Sequence, residues 1–263
     1  LKILASRTRR LIQFGAMSDH IEDVDAVMQI IHSDDQVDIS EVFSRPRLVP
    51  RCAAFHLIGG QSFDWKDDSE MDLAGVNGRA TVWAHVNLYE PKVLMLSPPC
   101  TLYSQLTQLW GRKSMGETRY QSRRLEAGRL LSFSAELANH QRQHDRHFIL
   151  EHPDGASSWE EDCLAALSTQ PGVFLSRFDQ CRFGLRCPYT QEPIRKRTRL
   201  VHNIPEVDAI FNNQFCLCEE PHRQIQGAEG GIQISSFCET YPPQMVDALL
   251  SGVQAAIGVQ IVD

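Results

Sequence analysis

Two short apolar runs, residues 92–96 (KVLML) and 147–150 (HFIL), limit what this chain can fold into more than any other feature. Each is too short for an ordinary helix and too uniformly apolar for a strand with one wet face, so each reads as a strand buried on both sides. Residues 37–43 and 198–202 read as further short strands. Residues 123–142 carry a helical pattern, with Leu125, Leu130, Phe133, Leu137 and Ala138 expected to face inward. Strands alternating with helices imply a mostly parallel sheet covered by helices on both faces, an α/β fold.

The rest of the chain divides around that sheet. Residues 18–32 place Ile21, Val24, Met28 and Ile31 at helical spacing, which predicts an acidic amphipathic helix within an N-terminal segment 1–34. The main domain is expected over 35–202. Residues 203–238 are polar and contain Cys216, Cys218, His222 and Cys238, and read as a small lobe inserted before the last helix. A C-terminal segment 239–263 then returns to the domain, with Met245, Leu249 and Val253 on one face of a helix over 242–257. At 263 residues this is one large domain with a small appendage. No apolar run reaches the roughly 18 residues of a membrane span, and no signal-peptide pattern opens the chain, so no membrane partner is expected. A chain that starts on Leu1 rather than Met reads as part of a longer polypeptide.

Charge is unevenly spread behind a net −7. Residues 17–38 hold seven carboxylates and no Lys or Arg, while residues 110–147 hold eight Lys/Arg against four Asp/Glu. Arg195, Lys196, Arg197 and Arg199 form a second basic knot. Such a bipolar surface can bind a polyanion on one side, and it is equally what two solvated helix faces look like. The eight cysteines are too sparse for a disulfide scaffold and suit a reducing compartment, nucleus or cytoplasm.

In open parallel sheets, sites form beyond the carboxyl ends of the strands. KVLML runs into Ser97-Pro98-Pro99-Cys100, and HFIL into Glu151-His152-Pro153. The prolines stiffen the approach to Cys100, so its thiol is preorganised for attack. A thiol is only slightly ionised at neutral pH and needs positive charge nearby. Glu151, directly after an apolar strand, is expected to be partly buried, which favours a protonated carboxyl able to donate.

These segments resemble the cytosine-5 DNA methyltransferase family, and in particular divergent members carried by mobile elements and viruses. SPPCTLYSQ is similar to the family's Pro-Cys loop, and FILEHP to its Glu-Asn-Val strand end. DQCRFGLRCPYTQEPIRKRTRLVHN resembles the later Gln-x-Arg-x-Arg segment, VDISEVFS and GGQSFDW the first two cofactor strands, and YPPQMVDALLSGV the closing helix. In order they cover roughly residues 37–256. The resemblance implies a Rossmann-like, S-adenosylmethionine-dependent methyltransferase sheet and a DNA substrate, RNA being an alternative. Cys100 would add to cytosine carbon 6 and Glu151 would engage ring nitrogen 3, with Arg197 and Arg199 as the paired arginines. Phe43, Ser44, Asp64, Trp65, Asp72, Ser97 and Pro98 would line the cofactor. Ser104, Gln105, Arg112, Lys113, Arg119, Arg123, Arg124 and Arg195 would meet nucleic acid, most of them in a mobile loop closing over a flipped base.

The sequence also departs from the family pattern. Ser44-Arg45-Pro46-Arg47 stands where the family has its glycine-rich first loop, and His152 where it has Asn. The small lobe offers little surface for reading several base pairs. Cys216, Cys218 and His222, with Cys238 or Cys181 and Cys187, could hold zinc tetrahedrally, but their spacing is not that of a standard finger. Core cysteines are the preferred reading, so no metal is expected. Three rivals stay open: a weakened relative kept for binding, the same chemistry on RNA or a nucleotide, and an unrelated thiol enzyme.

Overall fold

The computed structural model describes residues 36–64, 72–104, 107 and 111–258. The helix expected at 18–32, Trp65 and Gln105 lie outside the described residues.

A six-stranded sheet organises the fold, with β1 (Ile39–Val42) followed by β2 (Gly59–Phe63). Helix α1 (Val76–Tyr89) leads to β3 (Val93–Leu96), and α2 (Arg112–Met115) and α3 (Glu117–Gln143) lead to β4 (His147–Pro153). Helix α4 (Asp162–Ser168), β5 (Phe174–Asp179), β6 (Arg197–His202) and α5 (Pro205–Phe211) come next. A two-residue pair, β7 (Ala228–Glu229) and β8 (Ile232–Gln233), precedes α6 (Ile234–Phe237) and the closing helix α7 (Pro243–Ile257). The strand order is β2-β1-β3-β4-β6-β5. The first four strands are mutually parallel, and β6 runs antiparallel between β4 and β5.

The apolar residues of both runs form strands buried on both faces, as their composition required. All four residues of β3 are shielded from solvent, as are Phe148, Ile149 and Leu150 of β4. Alternation along the strands divides the core into two layers. Leu94, Leu96, Phe148 and Leu150 pack with Leu131, Phe133 and Leu137 of α3 and with Leu164 and Leu167 of α4. Val93, Met95 and Ile149 face the other way, against Val207 and Phe211 of α5 and Met245, Leu249 and Val253 of α7. Burying each large aliphatic side chain contributes about 1.5–3 kcal/mol.

Three expectations shift. The helix predicted over 123–142 begins at Glu117, and Leu125 is 67% exposed because the packed stripe runs through Ala127, Leu131, Ala138 and Gln141. The strand predicted at 147–150 continues to Pro153, because β6 pairs with it from Ile149 to Pro153. Glu151 and His152 therefore sit inside a strand rather than after it. The lobe is also drawn differently from 203–238: α5 packs into the main core, whereas Leu185, Cys187 and Ile194 join Ile234 and Cys238 in a small separate core. No helix among the described residues is long and apolar enough to cross a membrane.

Candidate active site

The chain passes from β1 outward to β2, then crosses back to β3 on β1's other side. The connections leaving β1 and β3 thus part company at their carboxyl ends, the place where open α/β sheets form a ligand crevice. Phe43 and Ser44 leave β1 there, Asp64 leaves β2, and Ser97 to Cys100 leave β3.

Glu151 and Cys100 come to this edge on neighbouring strands. Leu150 is in register with Leu96, so Glu151 stands level with Ser97 at the base of the Pro-Pro turn. The Glu151 carboxylate is buried. Its Oε2 accepts a hydrogen bond from the Tyr241 hydroxyl at 3.2 Å, and Tyr241 in turn bonds the Ser97 hydroxyl at 2.7 Å. Its Oε1 accepts no hydrogen bond among the described residues and faces the Lys196 ammonium at 3.6 Å. Lys196 is held by donating to the Cys238 carbonyl at 3.1 Å. Cys100 is a partly exposed free thiol. Burial pushes that thiol above its ordinary pKa, Lys196 pulls it down, and Glu151 pushes it up again. The resting sulfur is therefore a thiol beside a cation and an anion. Tyr241, buried and next to Glu151, is held well above its usual range, so its hydroxyl keeps its proton.

His152, the next residue on β4, points to the opposite face and steadies the cysteine loop from behind. Its Nε2 lies 3.1 Å from the Pro98 carbonyl, which can only accept, so Nε2 carries the proton. Nδ1 then accepts from the Ser158 hydroxyl at 2.6 Å. Burial pushes His152 down to about 4, so it is neutral. Pro98 thus anchors the turn through its carbonyl.

Strand parity separates the two arginines from this site. Glu151 is opposite Leu200, and His152 is opposite Arg199. Positions 197 and 199 therefore share the His152 face, whereas Lys196 reaches Glu151 from just before β6. The Arg199 Nε donates to Asp154 Oδ1 at 2.8 Å, and its guanidinium lies 4.6 Å over Trp159. Arg197 makes a two-pronged pair with Asp179, both contacts 3.0 Å, and lies over Phe215. Neither was brought to the thiol or to Glu151, and the cation there is Lys196. Because β6 is antiparallel, its start lies at the carboxyl edge of β4, so the lysine just before it arrives there. The basic knot was visible in the sequence, but which member faced Glu151 depended on register.

Of the residues expected to line a cofactor, Asp64 is buried just after β2. Phe43 adopts φ +64°, a left-handed conformation costly for a bulky residue, and packs edge-on against Phe133. Ser44 is buried. The loop that follows is folded by Glu41 of β1, which sequence reasoning missed. Its carboxylate accepts the backbone N–H groups of Arg47 (2.9 Å), Leu48 (3.0 Å) and Val49 (3.4 Å), and the Ser62 hydroxyl (2.7 Å). An internal carboxylate so takes up donors that a glycine-rich loop would offer to a ligand. The Arg47 guanidinium lies 4.6 Å over the Tyr241 ring. Asp72 instead shapes the entry to α1: it accepts the Ala74 N–H at 3.0 Å, and Gly78 passes so close that a Cβ would lie 2.2 Å from its carbonyl oxygen.

The expected nucleic-acid residues divide as well. Arg119, Arg123 and Arg124 belong to α3, a 27-residue helix packed on β3 and β4, and not to a mobile loop. Arg124 pairs with Glu161 and lies 4.1 Å over Tyr103, so it is a structural cation. Arg119, Arg123 and Arg195 are exposed, as is Lys113 on α2. The side chain of Arg112 lies outside the described residues. Ser104 bonds Thr107 at 3.0 Å within the turn after Cys100. Cys181 joins Cys216, Cys218 and His222 in one cluster, while Cys187 and Cys238 lie in the lobe's core. No protein-family model matches the chain, and no curated protein sequence does.

Proposed function

We propose that this chain is a cytosine-5 methyltransferase-like enzyme acting on DNA, with Cys100 as nucleophile and Glu151 as its acid partner. The observation that carries the reading is the unfilled hydrogen-bond position on the buried Glu151, beside a thiol that shares its strand edge. A pyrimidine lying against that edge would offer ring nitrogen 3 and its exocyclic amine to the carboxyl, and carbon 6 to the sulfur.

The proton balance follows from the groups present. The Cys100 thiol yields its proton towards Glu151 as sulfur bonds to carbon 6, and the neutral carboxyl then protonates nitrogen 3. Lys196 offsets the negative charge while it moves between sulfur and carboxylate, and Tyr241 keeps Oε2 in place. After methylation, solvent takes the carbon 5 proton, the sulfur departs as thiolate, and nitrogen 3 gives its proton back through Glu151 to Cys100. The target must first leave its stack, at a cost of roughly a few kcal/mol. Arg119, Arg123 and Arg195, and Lys113 on α2, are exposed cations that would meet phosphate.

S-adenosylmethionine, bound, supplies the electrophilic methyl group. The buried Asp64 after β2 fits the ribose hydroxyls, and Phe43, Ser44 and Ser97 border the same crevice. A second reading, a weakened relative that binds nucleic acid without turnover, draws on Glu41, whose carboxylate already occupies the N–H groups of the first loop.

Tritiated methyl transfer to DNA and RNA, with Cys100→Ala as control, tests the proposal together with calorimetry using S-adenosylhomocysteine. Cys100-dependent incorporation, and a covalent adduct with 5-fluorocytosine DNA, are expected. Nucleic-acid binding with no heat of cofactor binding would establish the weakened relative instead. Transfer that survives Cys100→Ala would overturn the mechanism.

A further inference from the structure

The lobe has a core of five buried residues, Leu185, Cys187, Ile194, Ile234 and Cys238. Residues 212–227 attach to it without a helix or a regular strand, apart from one bridge between Gln214 and Phe178. Ile225 packs against that core, but Phe215 is 38% and Leu217 73% exposed, so apolar burial contributes little to holding residues 215–222 in place. A piece of chain this poor in core needs a cross-link of another kind.

The structure supplies the groups for one. Cys181 sits in the turn directly after β5, and Cys216, Cys218 and His222 approach it from the irregular segment. Their ligand atoms all lie within 4.8 Å of one another. The Cys216 Sγ is 3.2 Å from the His222 Nε2, close to the edge of about 3.5 Å that a zinc tetrahedron with ordinary bond lengths requires. The Cys218 backbone N–H donates to Cys216 Sγ at 3.3 Å, an orientation that favours a metal-bound thiolate. The Cys216 N–H is itself fixed by Asp179 Oδ2 at 3.0 Å, and Asp179 is clamped by Arg197. Cys216 is thus fixed through both its backbone N–H and its sulfur.

We propose that Cys181, Cys216, Cys218 and His222 bind one structural zinc ion that pins the lobe to the end of β5. Three thiolates and an imidazole are a soft, four-membered donor set, which selects zinc over magnesium or calcium. Four protein ligands leave no open position, so the ion is structural and takes no part in methyl transfer. The proposal stands whether or not Cys100 is catalytic. It also explains Arg197: by clamping Asp179, the arginine supports the zinc loop rather than the thiol of the active site.

The test is metal analysis of the 263-residue chain purified under reducing conditions without chelator. About one zinc per chain is expected, and Cys181→Ser, Cys216→Ser and His222→Ala should each lose most of it. Cys163→Ser, on α4, should retain it. Because ligand variants can fail to fold, the unaltered chain is also reconstituted with cobalt(II), which should give the intense visible bands of a tetrahedral thiolate site. Wild-type chain that neither carries zinc nor develops those bands overturns the proposal, as does a disulfide among Cys181, Cys216 and Cys218 in the reduced preparation.

Discussion

The Tyr241 hydroxyl donates to Glu151 Oε2 at 3.2 Å, across 90 positions of sequence. This bond ties the start of the closing helix to the middle of β4. It also decides which oxygen of the carboxylate is left open towards Lys196. Since the tyrosine proton goes to Glu151, the Ser97 hydroxyl donates to Tyr241, and three separate segments are locked into one polar chain.

Tyr241→Phe removes that donor and leaves a buried carboxylate oxygen unpaired. The expected loss is about 1–3 kcal/mol of stability by urea denaturation. Tyr241→Leu should lose more, because the Arg47 guanidinium also loses the ring beneath it. A Phe variant as stable as wild type would show that the hydrogen bond contributes nothing.

The charges around Cys100 set opposite expectations for its reactivity. Lys196→Met removes the strongest influence opposing burial and Glu151, so the thiolate fraction falls and alkylation at pH 8 slows by roughly three- to tenfold. Glu151→Gln removes an anion and should speed it by a similar factor. Arg197→Ala should leave it unchanged, since that arginine serves Asp179. Peptide mapping after iodoacetamide treatment separates Cys100 from the other seven cysteines. Equal rates in the Lys196 and Arg197 variants would contradict the assignment.

Three histidines make the fold acid-sensitive. Burial pushes His85, His152 and His202 each down to about 4. The unfolded chain therefore binds more protons than the native one between about pH 6.5 and 4. Stability is full above that window and declines as pH falls through it, by on the order of 3 kcal/mol for each histidine at its lower end. Denaturation curves at pH 7.5, 6, 5 and 4.5 measure the decline. His152→Asn should flatten the slope as well as shift the curve, and an unchanged slope would remove His152 from the set.

Glu41→Gln tests the carboxylate that folds the loop after β1. The amide keeps one acceptor oxygen but turns a donor towards backbone N–H groups that already donate. A loss of about 1–3 kcal/mol is expected, with faster hydrogen exchange at Arg47, Leu48 and Val49. Exchange that does not change at these three amides would mean the loop is held by other contacts.

Much of this arrangement was legible in the chain itself. Uniformly apolar runs of strand length had to be buried on both faces, which predicted the parallel α/β sheet and placed the Pro-Pro-Cys turn at a strand end. The spacing of Met245, Leu249 and Val253 predicted α7 and its buried face in the same way. Local pattern alone does not mark β2, which is legible only through the resemblance of GGQSFDW to a cofactor strand, nor β5 and the helices α1, α4 and α5. GGQSF is too polar to stand out, and Phe174–Asp179 alternates into three polar positions.

What local pattern determined, then, was which segments are strands and which residues end them. Which side chains meet there was decided only by pairing. A shift of one position in the register of β6 against β4 would exchange Lys196 for an arginine at Glu151, because side chains alternate with a period of two. The same holds for Tyr241, for Glu41 and for the four ligands gathered from Cys181 to His222. Their partners lie tens of residues away or in irregular backbone, where periodicity carries no signal, and only the folded chain brings them into contact.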